Sequence, residues 1–445
     1  MEKRNYGLFT AVAMITGIVI GSGIFFKSDN ILVWTNGSIV DGVLVFVLAA
    51  IAIIFGSLSI SQLATMTDKP GGIITYAEEF CSMPVGCAFG WFQSMAYLPS
   101  ITAVVAWVGG IYTCILFQFP NTLENQILIG AGYILLLFFF NILSAKLGGY
   151  IQNGTTIIKL IPLFVIAIAG LIAGDPVQVI TETPRSIGMT GLMSAIPPIA
   201  FSFDGWAIST AICHEIKDSK KNLPRALIIS PILILIVYVL YFVGISTLVG
   251  PQRVAEMGDE HVNYAASLLF GSVGTKVILV FVLTSILGTV NGIILGSIRL
   301  PYAMGLRNML PGADILKREN HKLGGMPVNS AICAFLFSIV WLVVHYVTQK
   351  YQLLPNSDVS EISIVTNYLG YIVLYVAVIR LARQGKIKSL WSGYVVPVCA
   401  IVGALIILMG GLQNPLFGMY MLLSLAVVGA ALIYARVNKN RILLV

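Results

Sequence analysis

The chain has 445 residues, of which 58% are apolar and only 10% charged, and its mean hydropathy is +0.92; a soluble globular domain does not carry that balance. A bilayer core about 30 Å thick takes about 20 apolar residues per helix, so the composition describes an all-α polytopic membrane protein in contact with the lipid bilayer. The net charge of +7 then belongs to loops on one membrane face and gives no reason to expect nucleic acid as a partner.

Met1-Glu2-Lys3-Arg4 ahead of an apolar stretch resembles a secretory signal. No small-residue cleavage site follows and the stretch is too long, so it is read as the first span. Twelve apolar runs follow in order, at about 8–33, 43–66, 86–117, 127–145, 149–173, 191–213, 227–249, 276–304, 328–347, 362–381, 394–412 and 415–434. Their connections are short, which makes 1–445 a single membrane domain. With twelve spans both termini share a side. That side collects most of the 26 Lys and Arg residues, Lys217, Lys220, Lys221 and Arg225 among them, and the other holds Lys27, Arg185, Arg253, Lys276 and Lys350. Basic loops stay inside, so both termini are expected in the cytoplasm of a plasma-membrane protein.

Two runs are interrupted at their middles. The first contains Gly21-Ser22-Gly23, and the sixth contains Phe201-Ser202-Phe203-Asp204-Gly205-Trp206 one turn after Pro197 and Pro198; small residues, Pro and Asp-Gly all weaken a helix. The breaks lie about 180 residues apart, the spacing of a repeat of five helices: about 6–173, then an inverted copy over about 190–383, with about 393–436 as additions. Close helix packing at glycine is the plainer alternative.

Unwound backbone at membrane depth is tolerated where it lines a cavity. The N–H groups and positive dipole end that open the second half-helix at Gly21-Ser22-Gly23 suit a carboxylate, and the carbonyls that close each first half suit an ammonium. Facing breaks therefore read a zwitterion, most simply an α-amino acid. With Lys27 assigned to the outer end of the first run, Asp204 is read as the one acid deep in an apolar run and Lys159 as the one base. Asp204 is either a ligand or the cap of the following half-helix. Lys159 sits roughly 15 Å deep if its helix starts near Gly149; a charge there costs about 3 kcal/mol and calls for a polar partner, naturally the carbonyls freed where the first run unwinds. The six cysteines form no CxxC pair and share no ligand spacing with the four histidines, so no metal and no cofactor is expected.

These residues resemble the L-amino acid transporters of the amino acid–polyamine–organocation superfamily, and in particular bacterial alanine-serine-cysteine exchangers. The resemblance is carried in order by GSGIF at 21–25, PGGIITYAEEF at 70–80, FSFDGW at 201–206, EIKDSKKNLPRA at 215–226, and GTVNG at 288–292 running on to Ser297-Ile298-Arg299-Leu300. It implies a fold of twelve transmembrane helices, 5+5 inverted repeats broken in the first and sixth, and sodium-independent exchange of small neutral L-amino acids by alternating access. By match of position the substrate set is Val19, Ser22, Gly23, Ile24, Phe201, Ser202 and Asp204: N–H groups at Ser22, Gly23 and Ile24 for the carboxylate, carbonyls of Val19, Phe201 and Asp204 for the amine. Phe201, with Phe203 and Trp206 nearby, closes the space above the break, Lys159 links the fifth helix to the first, and Tyr241 and Asn291 face the same region. Animal members join a glycoprotein through a cysteine in the loop here at about 118–126; this loop has none and Cys114 lies in the third run, so no disulfide-linked heavy chain is expected.

The rival readings are an ion-coupled symporter of the same fold and a non-transporting amino-acid sensor. An enzyme would need a convergent acid–base or nucleophile set. His214 is expected at a helix end, His345 near the outer end of its run, and His261 and His321 in loops, which provides none.

Overall fold

The computed structural model describes residues 7–21, 23–67, 72–143, 158–182, 188–207 and 216–442. The first run holds α1 (Leu8–Val19) and α2 (Gly23–Trp34), followed by α3 (Ile39–Ala64), the short α4 (Ile73–Phe80), α5 (Met83–Phe117), α6 (Leu123–Leu143) and α7 (Leu160–Ala173). Next come α8 (Pro176–Glu182), α9 (Met189–Ser202), α10 (Ser219–Val249), α11 (Pro251–Met257) and α12 (His261–Leu306). The chain ends with α13 (Ala313–Leu316), α14 (Val328–Lys350), α15 (Val359–Arg383), α16 (Val396–Gly411), α17 (Phe417–Val437) and α18 (Lys439–Ile442). Among the described residues nine helical stretches are long and apolar enough to cross a bilayer, and an isolated bridge joins Asn320 and Met326.

Apolar side chains cover the outside as well as the core. On α6, Leu128 is 72% exposed and Leu135 and Phe139 more than half; a helix so clothed is solvated by lipid and not by water. The chain is a multi-pass membrane protein. Behind α6 lies α5, whose Ala103, Val104, Ala106 and Val108 are fully buried, with α12 and α14 on its other sides. Small residues set the closest crossings: a Cβ on Gly170 of α7 would lie 2.3 Å from the carbonyl oxygen of Gly244 on α10, so these backbones touch.

Neither half of the first run spans a membrane alone. Twelve residues each rise about 18 Å, so the interruption falls near mid-depth. The 14-residue α9 likewise stops short, and its continuation beyond Ala207 lies outside the described residues. The halves have different neighbours: α1 packs on α10, and α2 on α9 and α11.

Several extents differ from the sequence reading. The helix expected at 276–304 begins at His261, with a kink at Gly271, where φ is +62°. His261 is thus no loop residue; it is buried, with its Nδ1 2.6 Å from the Gly258 carbonyl oxygen. α10 starts at Ser219 because its polar first turns continue the helix beyond the apolar run. Residues 144–157, including the expected start near Gly149, lie outside the described residues, as does His214.

Candidate functional site

α1 stops because Ile20 turns to extended backbone (φ −68°, ψ 106°), with its N–H still bonded to the Thr16 carbonyl at 2.9 Å. The chain re-enters a helix at Gly23. In α9 the consecutive Pro197 and Pro198 each lack an N–H donor, and the helix closes with Phe203 N–H on the Ile199 carbonyl (3.1 Å) and Asp204 N–H on that of Phe201 (3.0 Å). Gly205 follows at φ +95°, a conformation that favours glycine.

The two breaks face one cavity of about 220 Å³. Val19, Gly21 and Gly23 border it from the first break, and Phe201, Ser202, Asp204 and Gly205 from the second. Lys159 reaches it from the start of α7, Tyr97 and Ile101 from α5, and Thr289 and Ile293 from α12. The volume is below the range of about 300–1,000 Å³ common for drug-sized ligands.

Lys159 is buried and its Nζ donates to the Gly17 carbonyl in the last turn of α1, one of the acceptors left over where a helix ends. Asp204 accepts a 2.5 Å hydrogen bond from the Tyr97 hydroxyl on its Oδ2. Tyr97 closes a π-helical turn, Gln93–Tyr97, within α5; such turns widen a helix locally and recur at functional sites. The Tyr238 hydroxyl lies 2.7 Å from the Ser202 carbonyl and 3.2 Å from that of Val19. Its single proton serves one acceptor at a time, so it joins the ends of α9 and α1 while leaving acceptor capacity between them.

Of the residues expected at the site, Val19, Gly23, Lys159, Phe201, Ser202 and Asp204 border this cavity. Ser22 lies outside the described residues. Ile24 is buried in the first turn of α2 and is not among the residues bordering the cavity. Tyr241 is displaced from the expectation: it packs edge-on against Phe25 at 5.5 Å, and Tyr238, one helical turn earlier on α10, takes the place at the breaks. Asn291 accepts from Asn141 Nδ2 at 2.8 Å and so ties α12 to α6, while the cavity is bordered by Thr289, Gly292 and Ile293 on the neighbouring face. Phe203 and Trp206 do not fill the space above the break. Phe203 packs against Tyr238 at 5.2 Å and Trp206 against Tyr371 at 5.1 Å, each drawn into an aromatic cluster.

Lys27 corrects the charge assignment most sharply. It is fully buried on α2, with its Nζ bonded to Asp358 (2.5 Å) and Glu361. Asp204 and Lys159 are therefore not the sole buried acid and base: Lys27 is a second buried base, and Asp358 and Glu361 are further buried acids. Among the described residues no group of three or more His, Cys, Asp and Glu is placed to hold a metal ion.

Comparison with known proteins agrees with this architecture. Residues 6–440 match the model of the amino acid permease family. The chain belongs to the amino acid permease family. Within the amino acid–polyamine–organocation superfamily its relatives are of the L-amino acid transporter type. This permease is 30% identical to the serine/threonine exchanger SteT of Bacillus subtilis (strain 168) over 413 residues, covering 91% of this chain and 90% of SteT. It is 25% identical to the b(0,+)-type amino acid transporter 1 of Mus musculus, covering 92% and 82%. The human large neutral amino acids transporter small subunit 2 is 27% identical, covering 83% and 67%. These names describe transporters and exchangers.

Proposed function

We propose that this permease is a sodium-independent exchanger of small neutral L-amino acids such as alanine, serine and cysteine, working by alternating access in the plasma membrane with both termini cytoplasmic. In this reading twelve helices cross the membrane, over the two inverted repeats and the two added helices drawn from the sequence. The substrate carboxylate meets the N-terminus of α2 around Ser22, Gly23 and Ile24. The amine meets carbonyls at Val19, Phe201 and Asp204, and Phe201 closes over the ligand. Lys159 couples α7 to α1, and no heavy chain is attached by a disulfide.

One observation carries the proposal: a cavity at two interrupted helices that is bordered by one basic side chain, Lys159, and one acidic side chain, Asp204. A zwitterion brings both charges in balance, whereas a charged side chain adds one without a partner in a desolvated site. The Lys159 ammonium on the Gly17 carbonyl occupies a position beside the break where a coupling cation would otherwise find its ligands, which favours exchange without sodium. The serine/threonine exchange for which SteT is named points the same way.

The test is uptake of labelled alanine or serine into proteoliposomes in sodium-free buffer, with and without internal neutral amino acid. Uptake is expected only with internal substrate. Strong uptake into empty vesicles under an imposed sodium or proton gradient overturns the proposal in favour of a symporter, and binding without counterflow overturns it in favour of a sensor.

A further inference from the structure

Three charged side chains meet between α2 and α15, away from the groups assigned to the substrate. Lys27 projects from α2, Asp358 is the cap of α15, and Glu361 lies in its first turn. All three are buried. The anions are built into the end of α15. Asp358 Oδ1 accepts from Ser360 N at 2.8 Å and Glu361 N at 3.3 Å, while its Oδ2 takes Lys27. Glu361 Oε1 takes Lys27 and its Oε2 accepts from the Ser357 hydroxyl at 2.6 Å; Ser357 in turn accepts from Asn414 Nδ2 at 3.0 Å. The cation stands on α2, which joins α1 only through the unwound break.

The position of this group is more telling than its presence. The Lys27 Nζ lies 5.1 Å from the centre of the Phe201 ring, and Phe201 borders the cavity at the breaks. On the other side Glu361 borders a second cavity of about 110 Å³, shared with Trp34, Pro197, Pro355 and Asn414. Phe201, Lys27 and Glu361 thus stand in sequence between two cavities. Phe26 packs edge-on against Phe201 at 5.2 Å, and Lys27 lies within 5.0 Å of the Phe26 ring, so the ring that packs on Phe201 and the cation of the ion pairs sit on one helix.

We propose that Lys27, Asp358 and Glu361 form a latch that shuts the substrate route between the cavity at the breaks and the end of the bundle where α2 finishes and α15 begins. Its use in a transport cycle rests on the exchanger reading above. A buried ion pair contributes little net stability compared with apolar packing, because desolvation offsets attraction. A pair that opens into water is different: when α2 leaves α15 the two cavities join and hydrate all three groups, so the closed, dry, paired state and the open, wet, separated state both satisfy the charges. That is a two-state element, and Lys27 acts in it as a positioning residue for Phe201.

The test compares wild type, Lys27→Arg, and the neutral triple variant Lys27→Met/Asp358→Asn/Glu361→Gln, which removes the three charges of the latch together and keeps a capping side chain on α15. Two readouts are taken: amide hydrogen exchange in lipid nanodiscs, and the alanine KM on each face of oriented proteoliposomes. In the triple variant protection across 23–34 is expected to fall about tenfold or more while 160–173 is unchanged. The KM is expected to fall at the latch end and rise at the other, each about threefold or more, since removing the latch shifts one equilibrium. Lys27→Arg keeps both values near wild type. Unchanged protection and an unchanged KM ratio in the triple variant overturn the proposal, as does equal loss of protection in α2 and α7, which marks a purely structural role. Absence of counterflow in the wild type itself refutes the exchanger reading, while hydrogen exchange still reports on the latch.

Discussion

Gly23 was expected to admit a ligand to the backbone; the structure adds that it lets two helices cross. A Cβ built on Gly23 would lie 2.9 Å from Ser202 Cα and 3.1 and 3.2 Å from Cδ1 and Cε1 of Phe201. Carbon atoms pack at about 3.5–4.0 Å, so Gly23→Ala overlaps a helix backbone by about 0.6–1.1 Å. The Phe201 ring can tilt, but Ser202 Cα cannot yield without α9, whose end is bound to the Tyr238 hydroxyl. Overpacking of this kind costs about 1–3 kcal/mol, a factor of about 5–150 in any equilibrium that needs α2 against α9. Gly21→Ala is the control. Its Cβ meets Thr289 Oγ1 at 2.8 Å and Cγ2 at 3.2 Å, side-chain atoms where Gly23 meets a helix backbone, so the cost is expected to be the smaller of the two. The assay is alanine counterflow in sodium-free proteoliposomes with thermal melting of the purified protein. Gly23→Ala is expected to lose about tenfold or more in exchange rate and to melt lower, while Gly21→Ala stays within about threefold of wild type. Wild-type exchange and melting in Gly23→Ala, with Gly21→Ala the more damaged, would falsify the packing argument.

Lys159→Ala is expected to fold, to bind alanine, to exchange much more slowly and to change apparent affinity mainly on one face; wild-type rates with symmetric affinities rule out a tether to α1, and complete loss of binding moves Lys159 into the substrate shell. Phe201→Leu is expected to slow alanine exchange more than it lowers the melting temperature, and an unchanged rate removes Phe201 from the closure. Tyr97→Phe takes the hydroxyl from Asp204 and leaves a buried acceptor short of a donor, at a cost of about 1–3 kcal/mol, so binding by isothermal titration is expected to weaken at least about fivefold. Tyr241→Phe deletes a buried hydroxyl that makes no hydrogen bond in the structure and is expected to leave exchange and melting near wild type; a deficit as large as that of Tyr97→Phe argues that Tyr241 and not Tyr238 serves the breaks.

Long apolar runs and clustered helix breakers are local properties, and they located α1, α2, α9 and the Gly21–Gly23 and Phe201–Gly205 interruptions from residue order alone. Lys159 stood out because an isolated base among Leu, Ile and Phe is costly, and the structure gives it the carbonyl partner that cost requires. Tyr97 carried no such signal. A tyrosine is ordinary in an apolar helix, and the π-helical turn that brings it to Asp204 packs against α12, α14 and α15, which are remote in sequence. Tyr238 and Tyr241 differ by less than one turn of α10, so the choice between them rests on a rotation of that helix that sequence spacing leaves open. Lys27 was hidden for another reason: with Ser28 and Asp29 beside it it looks like the wet end of a span, and its partners come from 331 and 334 residues further on.

Taken together, the two buried lysines give the halves of the interrupted helix different tethers. α1 is held through a backbone dipole, its Gly17 carbonyl accepting from Lys159 beside α7. α2 is held through full charges, its own Lys27 against two carboxylates at the head of α15. An ion–dipole contact is the weaker of the two in a desolvated site, and a carbonyl moved aside by helix motion is readily replaced by another acceptor or by water; an ion pair has fewer substitutes until water enters. The glycines at 21 and 23 lie between the tethers, with Gly23 crossing α9 at backbone contact. The geometry therefore lets the two halves respond separately to what happens at the break: release of α1 exchanges one acceptor for another, whereas release of α2 hydrates three charges together. Closure at the α2 end is consequently the steeper switch of the two, and substitutions at Lys27 should shift the population of states further than substitutions at Lys159.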